Sequence, residues 1–156
     1  MLEISQKAPD VSSPNQDNHI INLSSFHGKQ NVILYFYPKD DTPGCTIEAN
    51  QFTALVGDFA TVDTTIIGVS KDSCESHTDF INKFGLKFDL LADTSGEICD
   101  NYGVWREKEK NGVKKMGIVR STFLIDKQGN LQDVIYGVSP EGHAAAMLEK
   151  ARLVNK

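Results

Sequence analysis

Val32-Ile33-Leu34-Tyr35-Phe36-Tyr37 is a continuous apolar run, and the chain leaves it through Pro38-Lys39-Asp40-Asp41-Thr42-Pro43-Gly44-Cys45. An unbroken apolar run closed by proline suits a central strand buried on both faces. Thr42 before Pro43 suits an N-cap followed by proline in the first helical position. Phe52, Leu55, Val56 and Phe59 then recur with helical spacing. A helix is expected from about Thr42, so a buried strand delivers Cys45 into the first turn of a helix.

Working outward, Thr65-Ile66-Ile67-Gly68-Val69-Ser70 reads as a second strand. Asp72-Ser73-Cys74-Glu75 has capping-box spacing ahead of Phe80, Ile81 and Phe84, which predicts a second helix. Leu90-Leu91-Ala92 and a short helix near Glu97 to Tyr102 follow. Ile118 to Ile125 and Leu131 to Tyr136 form a strand pair across the turn Asp126-Lys127-Gln128-Gly129-Asn130. A last helix is expected from Ser139-Pro140-Glu141, with Ala144, Leu148 and Ala151 on one face. At the start of the chain, Asp10-Val11 and His19 to Leu23 flank a polar turn from Pro14 to Asn18, an N-terminal hairpin. The fold class is α/β: a mixed central sheet flanked by helices, parallel early and antiparallel late. A ligand site belongs at the carboxyl ends of its parallel strands, where Cys45 falls.

The 156 residues, 40% of them hydrophobic, fit one domain spanning 1–156. A net charge of -5 argues against nucleic acid or an anionic membrane as partner. The densest basic stretch, Arg106 to Lys115, alternates Lys with Glu around Gly112 and reads as a solvated loop. The first residues carry no basic start followed by an apolar run, and no eighteen apolar residues occur in succession, so neither secretion nor membrane spanning is expected. Cys45, Cys74 and Cys99 are odd in number and irregular in spacing, which favours free thiols in a reducing, cytoplasmic compartment. His19, His27, His77 and His143 show no metal-ligand spacing, and Cys-x-x-Cys and Gly-rich phosphate loops are absent from the sequence. No metal and no cofactor are expected.

At a helix start, unpaired amides and the helix dipole stabilise a thiolate. Such a thiolate attacks a peroxide oxygen, releases hydroxide or alkoxide and becomes a sulfenic acid. Thr42 can place its hydroxyl near the sulfur and the peroxide, and Pro38 can shield the site and stiffen its entry. Arg120 interrupts an otherwise strand-like stretch, and an inward arginine there needs an anionic partner. Taken singly, each residue also has a structural explanation: a small buried cysteine, a simple cap, a surface strand arginine.

Together the residues carry a specific resemblance. Pro38-x-x-x-Thr42-x-x-Cys45, set within Tyr35 to Thr46, and Arg120-Ser121-Thr122-Phe123-Leu124-Ile125 closely resemble the peroxiredoxins, specifically the bacterioferritin-comigratory-protein or peroxiredoxin Q group. The likeness extends over Lys7-Ala8-Pro9-Asp10, Gly68 to Ser73 and Tyr102-Gly103-Val104-Trp105. It implies a thioredoxin-like fold and a thiol-dependent peroxidase that reduces hydrogen peroxide and organic hydroperoxides through a Cys45 sulfenic acid. It also implies catalytic roles for Cys45, Thr42, Arg120 and Pro38, and a supporting role for Glu48.

The chain departs from this group at the resolving cysteine, for which the familiar positions here hold Asn50 and Ile81. Cys74 is then the internal candidate, and Cys99 reads as a core residue. The partners implied are a hydroperoxide and thioredoxin or another thiol reductant, with the protein a monomer or weak dimer. A non-catalytic peroxide sensor using the same cysteine is the alternative, and continuous turnover separates the two.

Overall fold

The computed structural model describes residues 2–154. Its central sheet has five strands: β3 (Asn31–Phe36), β4 (Thr64–Ser70), β5 (Asp89–Ala92), β8 (Ser121–Ile125) and β9 (Leu131–Tyr136), in the order β5-β4-β3-β8-β9. β3, β4 and β5 pair in parallel, while β8 and β9 add antiparallel to β3, giving the mixed sheet expected. β1 (Ser12–Pro14) and β2 (Ile20–Asn22) form the N-terminal hairpin, and the Asn15 side chain braces its turn by accepting from the amides of Asp17 and His19.

All of β3 is buried because both faces of the sheet are covered. Val32, Leu34 and Phe36 enter one core with Ile98 and Cys99 of α4 (Glu97–Asn101) and with Tyr102. Ile33, Tyr35 and Tyr37 enter the other, with α1 (Pro43–Ala54), α2 (Val56–Ala60), α3 (Cys74–Phe84) and α5 (His143–Val154). The period-two alternation of a strand therefore feeds two separate cores, which is why the sequence shows an unbroken apolar run.

Several expectations need correction. The helix after Thr42 breaks at Leu55, although Phe52, Leu55, Val56 and Phe59 all still pack into the same core. The second helix is capped one residue later than the box spacing suggested: Ser73 is its N-cap and accepts from the Ser76 amide at 3.1 Å. The last helix begins at His143, because Gly142 adopts a left-handed φ of 80° that no helix accommodates.

The stretch from Arg106 to Lys115 is not a loop but most of a hairpin, β6 (Trp105–Lys110) and β7 (Val113–Ile118). Asn111 and Gly112 supply the two positive φ angles, 53° and 76°, that a tight hairpin turn requires. Its strands are largely exposed, so they carry no hydrophobic alternation. β7 ends at Ile118 and β8 starts at Ser121, which leaves Arg120 in the short crossing between two sheets. Among the described residues no helix is long and apolar enough to cross a membrane.

Candidate active site

The carboxyl ends of the parallel strands deliver the site, since Tyr37 still pairs through its amide with the Val69 carbonyl before the chain turns away. Asp41 takes a left-handed φ of 56°, and α1 starts two residues later with proline in its first turn. Cys45 therefore sits within that first turn, 2% exposed, where the leading amides have no intrahelical acceptor.

Arg120 reaches this sulfur from the crossing between β7 and β8. Its Nη2 donates to Cys45 Sγ at 3.3 Å, and its Nη1 donates to Glu48 Oε1 at 2.8 Å. The backbone is fixed as well, because the Arg120 carbonyl accepts from the amides of Gly137 and Val138. Glu48 lies one helical turn beyond Cys45 and is fully buried. Burial pushes its carboxyl up from 4.5 to about 7, against the pull of Arg120, and its Oε2 has no hydrogen-bond partner among the described residues. Burial works against the Arg120 charge, but Cys45 and Glu48 outweigh it and raise the pKa of the guanidinium.

The other expected residues are placed less directly. Thr42 occupies the N-cap position without a side-chain cap; its hydroxyl donates to the Lys39 carbonyl at 2.8 Å and makes no hydrogen bond to Cys45. Pro38 is exposed at the entry to the loop. Cys74 is partly exposed in the first turn of α3, and all three cysteines are free. Ser76 and Lys83 hydrogen-bond Asp40 and Asp41, whereas Thr78 bonds the Gln16 carbonyl. Cys74 lies one turn before Thr78 and about 200° round the helix from Ser76, so it shares the side facing the N-terminal hairpin rather than the Cys45 loop. Cys99 is fully buried, and burial, with Asp93 beside it, pushes its thiol far up.

Sequence reading passed over Lys108. It lies on β6, donates through Nζ to the Ile118 carbonyl at 2.6 Å, and is lowered in pKa by partial burial and by Arg120. The signal for its placement was the Asn111-Gly112 turn, which folds β7 back along β6 and brings Lys108 within reach of Ile118. Also passed over were Asp40, buried within the Cys45 loop, and His77, buried on α3 beside it.

The AhpC/TSA family matches residues 4–134, more than half of the chain. This protein belongs to that family. The peroxiredoxin is 45% identical over 148 residues to peroxiredoxin Bcp of Bacillus subtilis, covering 95% of this chain and 94% of that one. Among solved structures it is similar to the Xanthomonas campestris bacterioferritin comigratory protein described for alkyl peroxide reduction, with a TM-score of 0.91, 33% identity and coverage of 99% and 100%. It is likewise similar to a Xylella fastidiosa PrxQ mutant structure, with a TM-score of 0.94, 32% identity and coverage of 100% and 99%. The resemblance to the bacterioferritin-comigratory or Q group is thus borne out, and with it the thioredoxin-like fold and thiol-dependent peroxidase activity.

Proposed function

We propose that Cys45 is the sulfur that peroxide oxidises, and that Arg120 and Glu48 form the polar wall against which the reaction runs. The observation that carries this reading is the Arg120 guanidinium, held between Cys45 Sγ and Glu48 Oε1 in a buried site at the end of the parallel strands. The Cys45 thiolate attacks one peroxide oxygen, a sulfur–oxygen bond forms and the oxygen–oxygen bond breaks. Sulfur is oxidised to sulfenic acid, and the departing oxygen leaves as hydroxide or alkoxide, which takes up the proton the thiol gave up. Arg120 supplies fixed donors for the charge that develops on oxygen. A thiol then attacks the sulfenic sulfur, water leaves, and a further thiol reduces the resulting disulfide.

The substrates on this reading are hydrogen peroxide and small organic hydroperoxides, in keeping with the alkyl peroxide reduction described for the Xanthomonas campestris relative. Thioredoxin or another thiol donor resets the enzyme, and Thr42 and Pro38 line the approach to the sulfur. The acidic net charge of -5 supports a protein without nucleic-acid or anionic-membrane partners. A cytoplasmic monomer or weak dimer completes the reading. The test is Cys45→Ser, measured as peroxide consumption with a thioredoxin system: turnover is expected to vanish with the circular dichroism spectrum unchanged. Substantial remaining turnover overturns the assignment, and a wild type that reacts once and then stops identifies a sensor instead.

A further inference from the structure

Cys45 is 2% exposed, yet the sulfenic acid formed there has to meet a second thiol, so the segment from Pro38 to Cys45 has to move. What holds that segment is a set of buried hydrogen bonds outside the reacting groups. Asp40, at the centre of the loop, accepts from the Tyr37 hydroxyl on Oδ1 at 2.6 Å and from the Ser76 hydroxyl on Oδ2 at 2.8 Å. His77 Nδ1 faces the same Oδ2 at 2.7 Å, with side-chain exposures of 0% for His77 and 4% for Asp40.

The ring's other nitrogen settles where the protons are. Nε2 lies 2.8 Å from the Leu91 carbonyl, which only accepts, so Nε2 carries a proton. The contact between Nδ1 and the Asp40 carboxyl then needs a second proton between them, which makes it a charge-assisted or proton-sharing bond in a dry environment. The Asp40 amide donates to Asp72 Oδ2 at 2.8 Å, and Asp72 also accepts from the Ser70 hydroxyl at 2.6 Å. Asp40, Asp72 and His77 lie close enough together for their ligating atoms to suggest a cation site. Asp40 and His77, however, are already engaged on both carboxylate oxygens and both ring nitrogens, and a cation would displace those protons.

We infer that Asp40 and His77 are positioning residues, a clamp between the Cys45 loop and the start of α3 that keeps Cys45 seated against Arg120 and whose release exposes it to the resetting thiol. The inference rests on the reading of Cys45 as the reacting sulfur. Because the same aspartate binds the loop and the first turns of α3, through Ser76 and His77, one opening event frees both. Such helix ends and loops open at lower cost than the strands beneath them.

The clamp is tested by labelling the reduced protein with a biotinylated maleimide and reading Cys45, Cys74 and Cys99 separately by peptide mass mapping. His77→Phe keeps a ring but removes both nitrogens, and is expected to speed Cys45 labelling by at least about tenfold, the worth of one charge-assisted hydrogen bond. Cys99, fully buried in the other core, is expected to stay unlabelled, which separates local opening from general loss of stability. His77→Asn, which keeps an N–H for Asp40, is expected to restore Cys45 labelling to within about threefold of wild type. Cys45 labelling in His77→Phe within about twofold of wild type overturns the clamp, as does equal acceleration at Cys99 or failure of His77→Asn to restore protection. Labelling does not require peroxide chemistry, so activity surviving in Cys45→Ser would remove the reaction assignment and leave this result standing.

Discussion

The Arg120 guanidinium joins Cys45 to Glu48, donating 3.3 Å to the sulfur from one nitrogen and 2.8 Å to a carboxylate oxygen from the other. The flat fork of donors reaches both acceptors at once, which a lysine ammonium cannot reproduce. Arg120→Met and Arg120→Lys are therefore both expected to lower the second-order rate constant with hydrogen peroxide by about 10- to 1,000-fold, measured by stopped-flow oxidation of Cys45. Thr42→Val is expected to lose less, because the hydroxyl's proton is committed to the Lys39 carbonyl. A lysine variant with wild-type rate would show that charge alone suffices.

Glu48 gives the fold a pH dependence of known sign. Burial raises its carboxyl from an ordinary 4.5 to about 7, so the folded protein holds this proton over a range in which the unfolded chain has lost it. The resulting stability is fully present below about pH 4.5 and is lost as the pH rises through about 7. The shift corresponds to on the order of 3 kcal/mol. Urea unfolding of wild type and Glu48→Gln between pH 4 and pH 8 is expected to show the wild type losing about that much relative to the variant as pH rises. Parallel pH profiles would place Glu48 in ordinary solvent-like surroundings.

Gly44 leaves room for Arg120. A Cβ at this position would lie 3.1 Å from Arg120 Nη2 and 3.4 Å from Pro140 Cγ, and it is the guanidinium that has to give way. Gly44→Ala also places a better helix former in the first turn of α1, worth up to about 1 kcal/mol. The two effects have opposite signs in different measurements: melting temperature is expected to hold or rise while the peroxide rate constant falls by about tenfold. An unchanged rate would mean that Arg120 is not held to its present position.

What the sequence disclosed follows burial. β3 was legible because both of its faces are dry, and α5 because Ala144, Leu148 and Ala151 mark its inner face. The hairpin from Trp105 to Ile118 was not, because its strands are mostly wet on both faces and Lys and Glu alternate without any apolar contrast. Its one signal is the Asn111-Gly112 turn. Arg120 stood out as a break in an apolar strand, and Glu48 came from resemblance, but their pairing across 72 residues depends on the Arg120 side chain reaching α1 from the crossing between β7 and β8. His77 shares the apolar stripe of α3 with Phe80, Ile81 and Phe84, and nothing in its spacing announced a carboxylate partner on another loop.

Cys74 is the residue for which topology and local geometry pull apart. β3 and β4 are parallel neighbours, so α1 and α3 start at the same edge of the sheet, with strands about 4.8 Å apart beneath them. A disulfide needs Cα atoms within roughly 7 Å and converging side chains. Cys74, however, shares the Thr78 side of α3, away from the face where Ser76 meets Asp40. The first turn of α3 has to unwind before the two sulfurs meet, and the bonds from Ser76 and His77 to Asp40 oppose that unwinding. Resolution by Cys74 is therefore expected after local opening: one equivalent of peroxide should give a Cys45–Cys74 disulfide by non-reducing mass analysis. Cys74→Ser should lower turnover with a thioredoxin-type donor by at least about tenfold, since an intramolecular thiol is replaced by a dilute external one. Cys99→Ser should leave turnover unchanged, because that thiol is sealed in the opposite core. If no intramolecular disulfide forms and Cys74→Ser keeps its full rate, the external thiol attacks the Cys45 sulfenic acid directly and Cys74 is a structural residue of the α3 start.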